Sequence, residues 1–155
     1  VRNEDRLRAH CRMWLNAYLP APATFTAVEH GIMYGGDKLA RAKQAQRLKA
    51  QGVKNGIGDI FIFAPGRFFN VELKVGRNTA SDAQLEWAQQ IQACGFVAQV
   101  VRSVSELHAI LRSGGIVFDP LAEAEAARHD RELALPTVTP PRRRRVDPLD
   151  MAVEL

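Results

Sequence analysis

Leu7, Cys11, Trp14, Leu15 and Tyr18 recur at helical spacing and mark one apolar stripe on a helix running from about Glu4 to Leu19. Asn3 can cap its start, and Pro20 and Pro22 stop it. Thr24 to Glu29 is Thr- and Val-bearing and reads as a strand. Asp37 can cap a basic helix reaching about Ala50, which Gly52 closes in the left-handed region. Two β-prone runs follow, Ile57 to Phe63 (IGDIFIF) and Phe68 to Val75 (FFNVELKV), around the turn signal Ala64-Pro65-Gly66-Arg67. This pattern predicts a hairpin.

Ser81 and Gln84 have capping-box spacing for a helix through about Ala93, stopped by Gly95. Phe96 to Arg102 (FVAQVVR) is a near-continuous apolar run of the kind buried in the middle of a sheet. Ser103 and Glu106 repeat the capping pattern for a helix to about Arg112, before Gly114 and Gly115. Leu121 to Leu133 reads as a polar helix, and the chain from Pro136 onward is Pro- and Arg-rich with few core formers. The expected fold class is therefore α/β, a small mixed sheet flanked by helices. The expected division is a folded domain over 1–118, a polar helical extension over 119–135 and a disordered tail over 136–155.

Composition narrows the class. The 155 residues are 46% hydrophobic and 25% charged, ordinary globular proportions that leave no room for wholesale disorder or a collagen-like chain. The two cysteines, Cys11 and Cys94, lie in different segments and form no CxxC pair, which argues against a zinc ribbon or a disulfide scaffold. Both fall on apolar helix faces and are expected in the core. No apolar run approaches the roughly 18 residues of a membrane span. A soluble, cytoplasmic protein with no membrane partner is expected.

Charge placement says more than the net +4. Lys38, Arg41, Lys43, Arg47, Lys49 and Lys54 fall in a stretch without a single acid, and Arg142 to Arg145 form a second block in the tail. Such fields favour a polyanion, of which nucleic acid is the commonest, although a basic helix is also an ordinary solvated face.

The hairpin concentrates candidate chemistry. With Phe63 opposite Phe68, Asp59 lies across from Glu72, and Lys74 projects from the same face two residues further on. Opposed carboxylates repel, so as pure architecture the pair is unfavourable. A hard divalent cation removes that repulsion, and a nearby lysine can orient water or offset phosphate charge. The set suits metal-assisted phosphodiester hydrolysis. E-x-K on a strand also decorates solvated faces, and a one-residue slip in register would separate the groups.

Glu4, at the edge of the first helix's buried stripe, can reach inward as a further carboxylate or serve the helix dipole. Gln84 can approach the same site or simply complete its capping box. His30 can contact phosphate or metal, or be structural, whereas His10, His108 and His129 show no ligand spacing along the chain. There is no Walker loop, dinucleotide-binding glycine pattern or identifiable Ser-His-Asp arrangement.

The segments GVKNGIGDI (Gly52 to Ile60), NVELKVG with Glu72 and Lys74, SDAQLEWAQQIQACGF and VAQVVRSVSEL together resemble the virus-type replication-repair nuclease (VRR-NUC) domain of the PD-(D/E)xK nuclease superfamily. The resemblance covers roughly Glu4 to Leu111. It implies a restriction-endonuclease-like core in 1–118 and a Mg²⁺- or Mn²⁺-dependent DNA phosphodiesterase. Asp59 and Glu72 would be metal ligands, Lys74 the catalytic lysine, and Gln84 and Glu4 the matching helix residues. Many relatives carry Pro where this chain has Gly58. Stand-alone members similar to small phage and bacterial proteins act on branched DNA, including four-way junctions, as homodimers. Lys38 to Lys54 would then grip DNA backbone. The rivals are a catalytically silent DNA-binding or recruitment module and a nicking or restriction-type nuclease acting on duplex DNA.

Overall fold

A computed structural model of the chain describes residues 3–28, 37–54 and 56–136. His30 and the Arg142 to Arg145 block lie outside these residues. The first helix, α1 (Asn3–Tyr18), buries Leu7, Cys11, Trp14 and Leu15 along the stripe its periodicity predicts, with Tyr18 packed at the edge. Glu4 and Asp5 occupy its first turn, where the helix dipole favours acids. Strand β1 (Thr24–Ala27) follows, then α2 (Lys38–Ala50), whose N-cap Asp37 accepts from Ala40 N–H at 2.8 Å. Gly52 sits beyond α2 at φ +84°, as a left-handed closing residue should.

The hairpin is β2 (Ile60–Ala64) and β3 (Arg67–Leu73), antiparallel, with Phe63 facing Phe68 and Ile60 facing Val71. Its loop is tighter than the four residues expected. Ala64 pairs with Arg67, leaving Pro65 and Gly66 at the tip, with Gly66 at φ +68°. Beyond it come α3 (Asp82–Ala93), β4 (Val97–Val101), α4 (Val104–Ser113) and α5 (Leu121–Ala134).

The sheet order is β1-β2-β3-β4, antiparallel except for the parallel β3–β4 pair that α3 connects. This is the small mixed sheet flanked by helices that the pattern predicts. One detail differs: among the described residues β4 is an edge strand rather than a middle one, and Gln99 is exposed. Its apolar residues are demanded by α3 and α4 packing against it, not by a strand on each side. Of the two interior strands, β2 and β3, it is β3 that is buried from Phe69 through Leu73.

That double burial divides β3 by face. Phe69, Val71 and Leu73 enter the core with α1, α4 and α5, whereas Asn70 and Glu72 point the other way. Phe69 lies so close to Gly114 that a Cβ there would stand 2.3 Å from its ring. Helix α5 joins the same core through Ala122 and Ala126, and Trp14 Nε1 donates to the Ala122 carbonyl at 2.9 Å. The Asp130 carboxylate on α5 accepts from Val104 N–H and Ser105 N–H at 2.7 and 3.0 Å, satisfying two donors that the start of α4 leaves unpaired. Cys11 is buried, and burial pushes its thiol up to about 12. Cys94, expected in the core, is exposed because it caps the end of α3 instead of lying on its packed face.

Candidate active site

The hairpin register holds one residue short of its end: the ladder begins at Ile60, and Asp59 immediately precedes it. Both carboxylates of interest are nearly enclosed, Asp59 at 5% and Glu72 at 6% exposure. Asp59 Oδ2 accepts from Leu73 N–H at 2.8 Å, so this side chain takes over where backbone pairing between the strands stops. Its Oδ1 meets the Arg8 guanidinium from α1. The Asp59 carbonyl accepts from Val28 N–H at 2.8 Å, fixing the residue from the β1 side as well.

Glu72 is held from a different direction. Lys74 Nζ is 2.7 Å from Glu72 Oε1, and the lysine side chain is only 14% exposed. Gln84 Nε2 donates to the same oxygen. Gln84 also completes the capping box of α3: its Oε1 accepts from Ser81 N–H at 2.8 Å while Ser81 Oγ accepts from Gln84 N–H. One residue therefore sets the start of α3 and contacts Glu72 as well. A cleft of ≈ 260 Å³ between α3 and the sheet is bordered by Glu72, Gln84, Asn70 and Gln99.

Asn70 braces the assembly. Its Oδ1 accepts from Gly58 N–H and from Trp87 Nε1, each at 3.1 Å, joining the segment before β2, strand β3 and helix α3. Gly58 fits where it does because a Cβ would stand 2.6 Å from Asn70 Oδ1 and 2.8 Å from the Val71 carbonyl. A proline here would lack the N–H that Asn70 accepts.

Glu4 lies apart from these contacts, where Asn78 Nδ2 donates to its Oε1 at 3.2 Å. That bond ties α1 to the loop after β3, which Arg102 also grips through the Gly76 and Asn78 carbonyls at 2.9 Å each. The six basic residues Lys38, Arg41, Lys43, Arg47, Lys49 and Lys54 are all exposed, and α2 buries no residue at all. An acid-free helix with no inward face presents its charge to solvent on every side.

Arg8 and Asn70 escaped the sequence reading. Arg8 had a usable signal, since it follows Glu4 by one helical turn on the edge of the buried stripe. Asn70 had another: it is a polar residue two positions before Glu72 on a strand otherwise rich in core formers.

No family model and no curated protein matches the chain. Among solved structures, a protein described as a VRR_NUC domain protein is similar, at 18% sequence identity and a TM-score of 0.49, with 73% of this chain and 88% of that chain covered. Among the described residues, no helix is long and apolar enough to cross a membrane.

Proposed function

We propose that this chain is a divalent-metal-dependent DNA endonuclease, selective for branched DNA such as four-way junctions. The observation that carries this reading is the enclosure of two carboxylates, Asp59 and Glu72, at one end of a hairpin with Lys74 in contact with Glu72. The donor set suits Mg²⁺ or Mn²⁺, because hard cations prefer carboxylate oxygens and retain positions for water and phosphate. Such an ion, held by Asp59 and Glu72, supplies charge neutralisation at the phosphate and lowers the pKa of attacking water.

The chain's own groups do the rest. Gln84 and Leu73 N–H hold the two carboxylates in fixed orientations, so little reorganisation is needed when DNA arrives. Lys74 Nζ orients the attacking water or offsets charge on the phosphate. The exposed cations from Lys38 to Lys54 contact backbone phosphates, which positions DNA without reading its sequence. A homodimer would present two such sites to the two strands of a junction, in the cytoplasm of a bacterial cell or phage-infected host during replication or repair.

A second reading, a silent DNA-binding or recruitment module, draws on one specific feature. Arg8 pairs with Asp59 and Lys74 with Glu72, so the carboxylates have cationic partners within the chain itself. Incubating the protein with a four-way junction and a matched linear duplex in Mg²⁺, Mn²⁺ or EDTA separates the readings. Metal-dependent cleavage that falls by roughly 10²–10³-fold in Glu72→Ala is expected, the size of effect seen when one preorganised electrostatic group is lost. Faster junction than duplex cleavage would support branched-DNA selectivity, and the reverse would favour a nicking or restriction-type enzyme. Tight binding without cleavage in either metal would sink the nuclease and leave the silent module.

A further inference from the structure

A second group of metal-capable side chains lies where α5 packs on α1. His10 Nδ1 and His129 Nδ1 face each other at 2.8 Å, with the rings nearly perpendicular at 86°. Glu132 stands one helical turn beyond His129 on the same face of α5, and one ligand atom from each of the three residues falls within 4.8 Å of the others. His129 is buried, while His10 and Glu132 are partly exposed, so the group opens to solvent along one edge.

We propose that His10, His129 and Glu132 form a binding site for a borderline divalent transition metal, Zn²⁺ or an ion of similar preference, that clamps α5 to α1. Two imidazoles and a carboxylate, completed by water, make a familiar tetrahedral donor set for Zn²⁺. The choice of metal follows from ligand type: imidazole suits Zn²⁺, Co²⁺ and Ni²⁺, whereas Mg²⁺ favours oxygen alone. On Zn–N bonds of about 2.0–2.1 Å, two tetrahedral nitrogens lie about 3.3 Å apart, so the rings need part by only about half an ångström. Burial, and next the neighbouring His129, hold the His10 pKa below its ordinary value and favour the neutral imidazole a metal requires.

A cation competes for the third ligand: Arg128 Nη1 contacts Glu132 Oε1 at 2.8 Å, whereas Arg6 Nη2 donates to the Glu132 main-chain carbonyl at 3.2 Å. The Arg128 pair is half exposed, a setting in which ion pairs are weak and readily exchanged. The alternative for the histidines is a single N–H···N hydrogen bond between neutral rings.

The test is a Co²⁺ titration of the full chain, purified without a polyhistidine tag, in excess Mg²⁺ to occupy oxygen-rich sites. Visible absorption reports tetrahedral coordination, and Zn²⁺ competition reports affinity. One equivalent of tetrahedral Co²⁺, displaced by Zn²⁺, is expected in both the wild type and Glu72→Ala. His10→Ala should weaken binding by about 100-fold, and Glu132→Gln by at least about 10-fold. Zn²⁺ should raise the wild-type melting temperature and leave that of His10→Ala unmoved. Melting curves in EDTA confirm that the variants fold. Absence of stoichiometric binding, or binding that survives His10→Ala and is lost in Glu72→Ala, would overturn the site and leave the histidines as a hydrogen-bonded pair. Because the readout is coordination rather than cleavage, the result is independent of the nuclease proposal.

Discussion

Two polar clusters among the described residues are built on different principles. At the hairpin base the groups are ionic oxygens and nitrogens: Asp59 with Arg8, Glu72 with Lys74, both held by further hydrogen bonds from Leu73 N–H and Gln84. Between α1 and α5 the groups are two imidazoles with a carboxylate at the rim. The first cluster is assembled mainly by neighbouring strands and the helix that follows them, with Arg8 reaching in from α1; the second is assembled only when the first and last described helices meet. Enclosed charges persist where partners compensate their lost hydration, whereas buried imidazoles can remain neutral. One cluster is therefore suited to hard ions and phosphate, the other to borderline metals.

The sharpest way to break this contrast is through Lys74. Lys74→Met keeps the stem that packs beside β3 and removes the charge next to Glu72. If the lysine orients water or carries charge in the transition state, single-turnover cleavage of a junction should fall by roughly 10²–10⁴-fold. Circular dichroism and the Co²⁺ signal at the histidine cluster should stay as in the wild type. Cleavage within a few-fold of wild type would reduce Lys74 to a structural partner of Glu72.

A smaller effect is expected from the brace behind the hairpin site. Asn70→Ala removes the acceptor of Gly58 N–H in a buried setting and of Trp87 Nε1 in a part-buried one. An unmet buried donor costs about 1–3 kcal/mol, so a fall of this size in urea-unfolding stability is expected, together with slower cleavage as Asp59 loses its fixed approach. Gly58→Pro removes only one of the two donors and adds the steric conflict with Asn70 Oδ1 and the Val71 carbonyl. Unchanged stability in both variants would show that the Asn70 contacts are incidental.

How far each cluster could be read along the chain follows from how it is assembled. The hairpin end is local: Asp59 and Glu72 flank a short turn, so strand alternation and the Pro65-Gly66 signal put both at the same end of the hairpin. The same holds for Gln84, whose capping-box spacing puts it at the start of the helix that meets Glu72. The histidine pair is 119 residues apart, and no spacing rule along the chain links His10 with His129. Helix α5 was readable as a helix, but the face it buries is built from Ala122 and Ala126, whose small side chains leave little trace in a hydrophobic pattern. The edge position of β4 was hidden for the opposite reason, because helix packing makes an edge strand as apolar as a central one. Arg8 and Asn70 show a third limit: each is a common polar residue whose importance appears only through its partner.

Acidification gives the mildest discrimination between the two regions. Burial lowers the pKa of His10, with a further push from His129; Arg6 acts in the same direction, and Glu132 and Asp130 oppose them. Burial likewise lowers His108, which meets Trp14 and Phe118 edge to face, with Glu123 opposing and Arg112 reinforcing the shift. Both groups are neutral in the folded chain at pH values where the unfolded chain, with histidines near 6.5, begins to take up protons. Their contribution to stability is thus fully present above about pH 6.5 and declines as pH falls through the lowered folded values. Melting temperatures measured from pH 7.5 to 5 in EDTA should fall with acid, and the slope should flatten in His108→Gln and in His10→Gln. Parallel slopes in wild type and both variants would mean that the histidine side of the core does not set the molecule's response to mild acid.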